Sequence, residues 1–424
     1  MSYRSIQPPL HPVSALNPLP VMLHTLKNSI AVMGLNDPNM ALIRLDVQLK
    51  AGSYFQQKPA VSQATLKLIT EGVQDVSAQQ IAETLDYAGA YFEAVPDRDF
   101  ATFSIYFPKE AQPTILPLLE KMFTQAVFPE EKLTVLKKNM KKNLVINMEK
   151  TAYLAHAHFI AHVFGEQHPY GSSLTPENID NLVRKDIVSF YQQRFHAGNI
   201  RLFVAGNIDD SFLHLLDNTL GNIPYKEPNK QEHYEPQRQS GQDKIIHIEK
   251  ENTVQSGICI GKRLFNYTHS DWIAVSVLNT VLGGYFGSHL MTNIREDKGL
   301  TYGIYSKLTA FLQDGLFLIR ADVNKNHRQQ AVDEIFKELA LLSYSRIPEK
   351  ELRLVKNYLS GALLRHFDGI FSQTDRVALI ANYNLPSDYW QHYVQTIEAV
   401  DTDTLFGLAN TCLQSDSMTT VTVG

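Results

Sequence analysis

The chain has 424 residues, more than one hydrophobic core usually organises, so the sequence predicts more than one domain. Hydrophobic residues make up 44% and charged residues 20%, the balance of a soluble globular protein. The net charge is only −5, without long runs of one sign, and no apolar run approaches the ~18 residues that a membrane helix needs. We therefore expect no nucleic-acid partner and no membrane partner.

The N-terminal segment and the two cysteines indicate the compartment. Residues 1–20 lack a basic start and an apolar stretch and contain several prolines, so no signal peptide is recognised. Cys259 and Cys412 lie among apolar neighbours, and two cysteines do not form the dense disulfide framework of a small secreted fold. We expect both to be core residues and the protein to be cytoplasmic.

The first part of the chain alternates between strand and helix patterns. From Ile43 to Lys50, and again from Ala101 to Phe107, apolar and polar residues alternate, which predicts two half-buried strands. Apolar residues at helical spacing lie between and after these strands. The predicted helices are 61–71, 78–88, 110–125, 130–149 and 152–164.

A polar segment from Ile223 to Lys244, rich in proline, glutamine and charge, then predicts a linker. The expected domains are therefore residues 1–222 and 245–424.

The second part repeats the order of the first: the predicted strands are 254–262, 302–309 and 315–323, and the predicted helices are 270–282, 287–297, 328–343 and 349–365. The helix start at Pro129 is echoed at Pro348 in the same place in this order. Alternating strands favour antiparallel or mixed sheets with helices packed on them. The sequence predicts an α+β fold of two homologous halves, each a mostly antiparallel sheet packed with helices, which form a clamshell.

One segment, from Val281 to Ser306, carries the most distinctive pattern: Gly-Gly-x-Phe-x-Ser-x-Leu, followed by Arg-Glu-x-x-Gly-Leu-x-Tyr. With the motifs at His168–Gly171 and Val204–Ile208, it resembles the pitrilysin or insulinase type of zinc metallopeptidases, the inverted zincins, over nearly the whole chain. One departure is His289, where that family often has arginine.

The resemblance implies that Arg295 and Tyr302 bind backbone carbonyls of a peptide, within a substrate-binding segment that also contains Gly283 and Gly284. A guanidinium and a phenol are hydrogen-bond donors suited to this role. The alternative is a surface arginine paired with a carboxylate such as Glu296, and a tyrosine packed at a strand start.

The same resemblance places the catalytic motif His-x-x-Glu-His, whose histidines bind zinc and whose glutamate activates water, on a helix ending near Gly72. Those positions are filled by Gln63, Leu66 and Lys67. An amide, an aliphatic chain and an ammonium group cannot bind and use a catalytic zinc. The helix 130–149, where the family has a glutamate as third ligand, carries no acid in its middle. We therefore expect no catalytic residue and no metal in this chain.

A rival metal site is His158 and His162, spaced one helical turn apart. However, Phe159 occupies the position where a metalloprotease of the forward type has its glutamate. Hydrogen-bonded or exposed histidines are the alternative that we favour.

The sequence is compatible with three functions. The leading hypothesis is a non-catalytic, substrate-binding subunit of a heteromeric zinc metallopeptidase, in which a zinc-bearing homologous subunit is the partner and a peptide is the substrate. The second is a binding or assembly protein of the same fold without a proteolytic role. The third is a stand-alone zinc peptidase that uses His158 and His162.

Overall fold

The computed structural model describes residue 16 and residues 18–228 and 244–424. Most of the predicted linker, residues 229–243, lies outside the described residues, as does most of the segment on which the signal-peptide prediction rests. Two large sheets organise the rest of the chain, one formed before residue 229 and one after residue 243. The ends of the two domains at residues 222 and 245, and the linker 223–244 between them, stay a prediction.

The first half consists of eight strands and eight α-helices within the described residues. Its strands are β1 (Val21–Thr25), β2 (Ala31–Asn36), β3 (Leu42–Leu49), β4 (Gly72–Val73), β5 (Val76–Ser77), β6 (Tyr91–Pro96), β7 (Ala101–Pro108) and β8 (Ile200–Gly206). Its helices are α1 (Val61–Leu68), α2 (Ala78–Tyr87), α3 (Gln112–Gln125), α4 (Glu130–Met148), α5 (Thr151–Phe164), α6 (Pro176–Asp180), α7 (Arg184–Arg194) and α8 (Asp210–Asn218).

The second half has five strands and six α-helices in the part that the structure describes. Its strands are β9 (Ile245–Ile248), β10 (Gln255–Leu264), β11 (Thr301–Ala310), β12 (Gly315–Asn324) and β13 (Thr419–Val423). Its helices are α9 (Trp272–Asn279), α10 (Arg328–Tyr344), α11 (Glu349–His366), α12 (Ile370–Tyr383), α13 (Tyr389–Ala399) and α14 (Thr402–Cys412). Two π-helical segments, Thr280–Gly284 and Met291–Asp297, follow α9.

Local sequence explains where several helices begin. Ser77 caps α2, because its hydroxyl accepts from the backbone N–H of Gln80 while the Gln80 side chain accepts from the backbone N–H of Ser77. Pro129 and Pro348 each stand immediately before a helix whose first turn is acidic, which suits the positive end of the helix dipole. The echo seen in the sequence therefore marks equivalent starts of α4 and α11.

The two sheets share the topology of five strands, and β1 is an additional strand of the first sheet, which confirms the predicted fold of two homologous halves. The first runs β1-β2-β8-β3-β7-β6 and the second runs β9-β13-β10-β12-β11. In each sheet one pair is parallel, β2 with β8 and β9 with β13, and the other pairs are antiparallel. The strands β6 and β11 are equivalent, and each lies at the edge of its sheet.

Each sheet packs its own helices on one face and a helix from the other half on its opposite face. The helix α5, from the first half, packs on β10 and β13, where Phe159 is fully buried near Cys259 and Val421. The helix α12, from the second half, packs on β8 and β2, where Ile370 contacts Leu35. Because α5 and α12 follow the equivalent helices α4 and α11, the halves exchange equivalent helices.

This exchange corrects one expectation about the strands. Ile43 and Val47 are fully buried as predicted, but Asp46, on the face expected to be polar and exposed, is only 4% exposed. The helix α12 covers that face, and Arg44 forms ion pairs of 2.7 Å with both Asp46 and Asp375. The strand β3 is therefore buried on both faces, and the polar residues on its outer face are held by charge pairing.

Candidate functional site

The helix α1, expected to be the zinc helix, presents its three key positions to different surroundings. Gln63 is partly exposed and lines a cavity of about 240 Å³. Leu66 is 1% exposed within the core of the first half, whereas Lys67 is exposed to solvent. The three side chains supply an amide, an aliphatic group and an ammonium group, none of which is a usual zinc ligand.

The neighbouring helix α4 offers no substitute ligand. Between Lys132 and Met148 it contains no acidic residue, and Glu149, just past its end, pairs with Lys250 at 3.1 Å. Among the residues that the structure describes, no group of three or more His, Cys, Asp or Glu side chains is arranged to hold a metal ion.

The histidines of α5 belong to a packing helix. The Nδ1 atom of His162 lies 2.8 Å from the carbonyl oxygen of His158, so this nitrogen is hydrogen-bonded within the helix. Phe159, between them in sequence, is buried against the second sheet. The spacing of one turn therefore reflects a helix that packs on a sheet, and within the described part of the chain no third ligand completes a metal site.

Arg295 and Tyr302 lie on either side of the turn that leads into β11. Arg295 is in the π-helical segment Met291–Asp297, and Gly299, with φ of +62°, turns the chain toward the strand. The register of β11 against β12 shifts between Thr301 and Ile304, and Tyr302 lies within this bulge. As a result, Tyr302 is 92% exposed at the edge of the second sheet.

The Arg295 guanidinium is stacked on an aromatic ring and has no acidic partner among the described residues. Its Cζ atom lies 5.1 Å from the ring centroid of Phe286, which is itself 61% exposed. Such stacking leaves the N–H groups at the edge of the guanidinium free to donate. In residues 18–228 and 244–424 no carboxylate lies within 4.0 Å of Arg295, so the alternative of pairing with Glu296 is not observed.

Gly283 and Gly284 end the π-helical segment Thr280–Gly284, which packs against β11. A Cβ atom on Gly283 would lie 2.6 Å from both the backbone nitrogen and the Oγ atom of Ser306, so only glycine allows the π-helical segment to approach β11. Gly284 is exposed, and a Cβ there would lie 3.2 Å from Oγ1 of Thr280. Contact of either glycine with a peptide stays a prediction.

His289 holds the same segment onto two helices, a role that the sequence did not reveal. Its Nε2 atom lies 2.9 Å from Glu351 of α11, and its Nδ1 atom lies 3.2 Å from Glu338 of α10. Burial alone would lower the pKa of His289, but the two carboxylates outweigh it and raise that pKa to about 9. Asn293 also donates to Glu338 at 2.5 Å. Charged contacts thus hold the segment that carries Arg295 against α10 and α11.

The motif His168–Gly171 joins the two halves. The hydroxyl of Tyr170, which is fully buried, donates to Asp99 at 2.5 Å. The other carboxylate oxygen of Asp99 accepts the backbone N–H of Leu312, in the turn between β11 and β12, at 2.9 Å. Burial raises the pKa of Asp99 to about 6, although both hydrogen bonds oppose this.

These features define a class of protein: a peptidase-like chain of two equivalent α+β halves, with an exposed arginine and tyrosine at one sheet edge and no zinc ligands on the helix α1. Residues 181–359 match the family model described as "Peptidase M16 inactive domain". In this region the chain is therefore similar to the M16 peptidase family, the pitrilysin and insulinase type, and it lacks the zinc motif at the positions where that resemblance places it.

Individual relatives agree with this assignment. The chain is 24% identical over 362 residues to the "Uncharacterized zinc protease YmxG" of Bacillus subtilis, covering 83% of this chain and 86% of that protein. It is 23% identical over 218 residues to the "Probable inactive metalloprotease YmfF" of the same organism, covering 49% of this chain and 48% of that protein. The fold is shared with the crystal structure of a peptidase M16 inactive domain from Pseudomonas fluorescens, with a TM-score of 0.87, 22% identity, and coverage of 96% of this chain and 98% of that chain.

No helix in the described part of the chain is both long enough and apolar enough to cross a membrane.

Proposed function

We propose that this chain is the non-catalytic, substrate-binding subunit of a heteromeric zinc metallopeptidase, and that a homologous subunit supplies the zinc. One observation carries the proposal: Arg295 and Tyr302 are presented at a sheet edge, while α1 has no zinc ligand at its motif positions. The chain has the groups that hold a peptide and lacks those that cleave it.

The surface around Arg295 suits the backbone of an extended peptide. The guanidinium rests on Phe286 and has no carboxylate partner among the described residues, so its donors are available to peptide carbonyl oxygens. The phenol of Tyr302 is almost fully exposed and adds another donor. These donors bind the peptide backbone and make no contact with its side chains, which agrees with a subunit that binds many peptides in one register.

The peptide strand itself is proposed to pair with the zinc-bearing partner. In this chain the equivalent edge strand is β6, where Glu93 and exposed Tyr91 stand in place of the family's asparagine-containing strand. A glutamate side chain cannot donate to a peptide carbonyl when ionised. The strand-adding edge is therefore assigned to the partner, by addition of the peptide to an exposed sheet.

The test is co-expression with a homologue that keeps His-x-x-Glu-His, preferably one encoded nearby in the same genome, followed by size analysis and a peptidase assay. We expect a stable complex and a peptidase activity that the isolated chain lacks. In the complex, Arg295→Gln should lower kcat/KM by about 100-fold, and Tyr302→Phe by about tenfold, because each removes a donor to the reacting peptide.

Matched control variants separate this role from general damage to the surface. Arg353→Gln removes an exposed arginine on α11, and Tyr87→Phe alters a tyrosine of α2 that is 96% exposed. Neither should change peptide cleavage. If Arg295→Gln and Tyr302→Phe behave like these controls, the chain has an assembly role. Hydrolysis by the pure isolated chain that a chelator abolishes and zinc restores would refute the non-catalytic assignment.

A further inference from the structure

The cavity beside Gln63 is a second site, separate from the Arg295 surface. It lies at the N-terminal end of α1, between the turn that follows β6 and the face of α5 that carries Tyr153 and His156, and has a volume of about 240 Å³. Part of its wall is apolar, formed by residues such as Ile160 and Leu174. Its polar lining includes Arg98, Tyr153 and His156, together with Asp97 and several serine and glutamine side chains. The role proposed above uses none of Arg98, Tyr153 and His156.

Arg98 is a largely buried cation whose guanidinium donates only long hydrogen bonds. Its Nη1 atom donates to the carbonyl oxygens of Pro169 and Ser172 at 3.4 and 3.5 Å, both at the long limit of hydrogen bonding. In the described ranges no carboxylate lies within 4.0 Å of its guanidinium nitrogens. Burial lowers the pKa of Arg98, against the opposing charges of Asp97 and Asp99. A guanidinium has five N–H donors, so most of these are unused.

Two neutral hydrogen-bonding groups face the same space. Neither the hydroxyl of Tyr153 nor the imidazole of His156 has a hydrogen-bond partner among residues 18–228 and 244–424. Burial, with help from Arg320 and Arg98, lowers the pKa of His156 to about 4, so its ring is neutral near pH 7. Burial raises the pKa of Tyr153, so its phenol keeps its proton. Both groups can donate one hydrogen bond without adding charge.

We propose that this cavity binds the free C-terminal carboxylate of a short peptide, with the Arg98 guanidinium as its anchor. A planar carboxylate accepts two parallel N–H donations from an arginine fork, and the phenol of Tyr153 provides a further donor. The apolar wall at Ile160 and Leu174 receives the last side chain of the peptide. The volume lies below the ~300 Å³ at which drug-sized pockets begin, which suits the end of a peptide.

The charge balance favours a carboxylate over a phosphate. Asp97 lines the same cavity, and the Asp99 carboxylate interacts with Arg98 through space. Either anion would meet one cation and two acidic groups, and the repulsion from the acidic groups is about twice as large for a dianion as for a monoanion. Asp99 already accepts from Tyr170 and Leu312, so it does not neutralise Arg98 by direct pairing.

The test is isothermal titration calorimetry of the full chain, without any partner subunit, with N-acetyl-dialanine and with its C-terminal amide. We expect the free acid to bind at least tenfold more tightly than the amide. Arg98→Gln should remove this preference, and Arg98→Lys should weaken binding of the acid about tenfold, since it keeps the charge but loses the fork. Asp99→Asn disturbs the same turn but removes a negative charge, so the acid should bind equally well or more tightly.

Several results would overturn the proposal. Equal binding of acid and amide, or unchanged binding by Arg98→Gln, would show that Arg98 does not recognise a carboxylate. Acetate or inorganic phosphate binding as tightly as the peptide acid would indicate a small-anion site. Loss of binding by Asp99→Asn as large as by Arg98→Gln would show that Arg98 only holds its loop. Because the isolated chain is used, these outcomes are independent of whether a zinc-bearing partner exists.

Discussion

The charged contacts of His289 predict a specific pH dependence of stability in the second half. A pKa raised from 6.5 to about 9 corresponds to about 3 kcal/mol of favourable interaction, an upper bound because the side chain is 17% exposed. The native state holds this proton more tightly than the unfolded state. The contribution is therefore fully present below pH 6.5 and is lost as the pH rises to 9.

Two substitutions of His289 isolate this contribution. His289→Gln cannot carry charge, so the wild-type protein should exceed it in stability by up to about 3 kcal/mol more at pH 6 than at pH 9.5. His289→Arg, the residue often found in the family, keeps a cation between Glu338 and Glu351 at every pH. Its stability should not fall over this range.

The assay is urea unfolding followed by tryptophan fluorescence at half-unit steps of pH. The chain has two tryptophans, Trp272 and Trp390, both nearly buried in the core of the second half, so the signal reports on the half that contains His289. Parallel pH profiles for the wild type and His289→Gln would refute the reasoning. They would show that the carboxylates around His289 do not hold its proton in the folded protein.

Two further predictions concern the junction of the two halves. Burial raises the pKa of Asp99 from 3.8 to about 6, so the protonated carboxyl contributes up to about 3 kcal/mol to stability below pH 4, and this contribution is lost as the pH rises through 6. Urea unfolding curves should show this dependence on pH in the wild type and not in Asp99→Asn. Phe159→Ala should cost about 3–5 kcal/mol, since its ring is fully buried between α5 and the second sheet, and circular dichroism should show a lower Tm. His162→Ala, on the less buried side of α5, is the control and should cost less than about 1 kcal/mol; equal losses would contradict the exchange of helices.

Parts of the site that depend on local sequence were predictable. The turn at Gly299 and the strand that begins near Tyr302 follow from residue types at neighbouring positions, whereas the exposure of Tyr302 does not. The pairing of His289 with two glutamates was not predictable in this way. Glu338 and Glu351 are 49 and 62 positions further along the chain, on two different helices, and neither belongs to a motif.

The sequence by itself determined the α+β class and the duplicated order of elements, because helix and strand periods and turn-forming residues act over a few positions. Only the tertiary structure decided that α5 and α12 exchange between the halves. That exchange depends on contacts such as Arg44 with Asp375, 331 residues apart, which no local pattern encodes. The same contacts bury the polar side of β3. Polar side chains there would be solvated if the strand stood alone, and a charge pair with a residue distant in sequence compensates for the loss of that water.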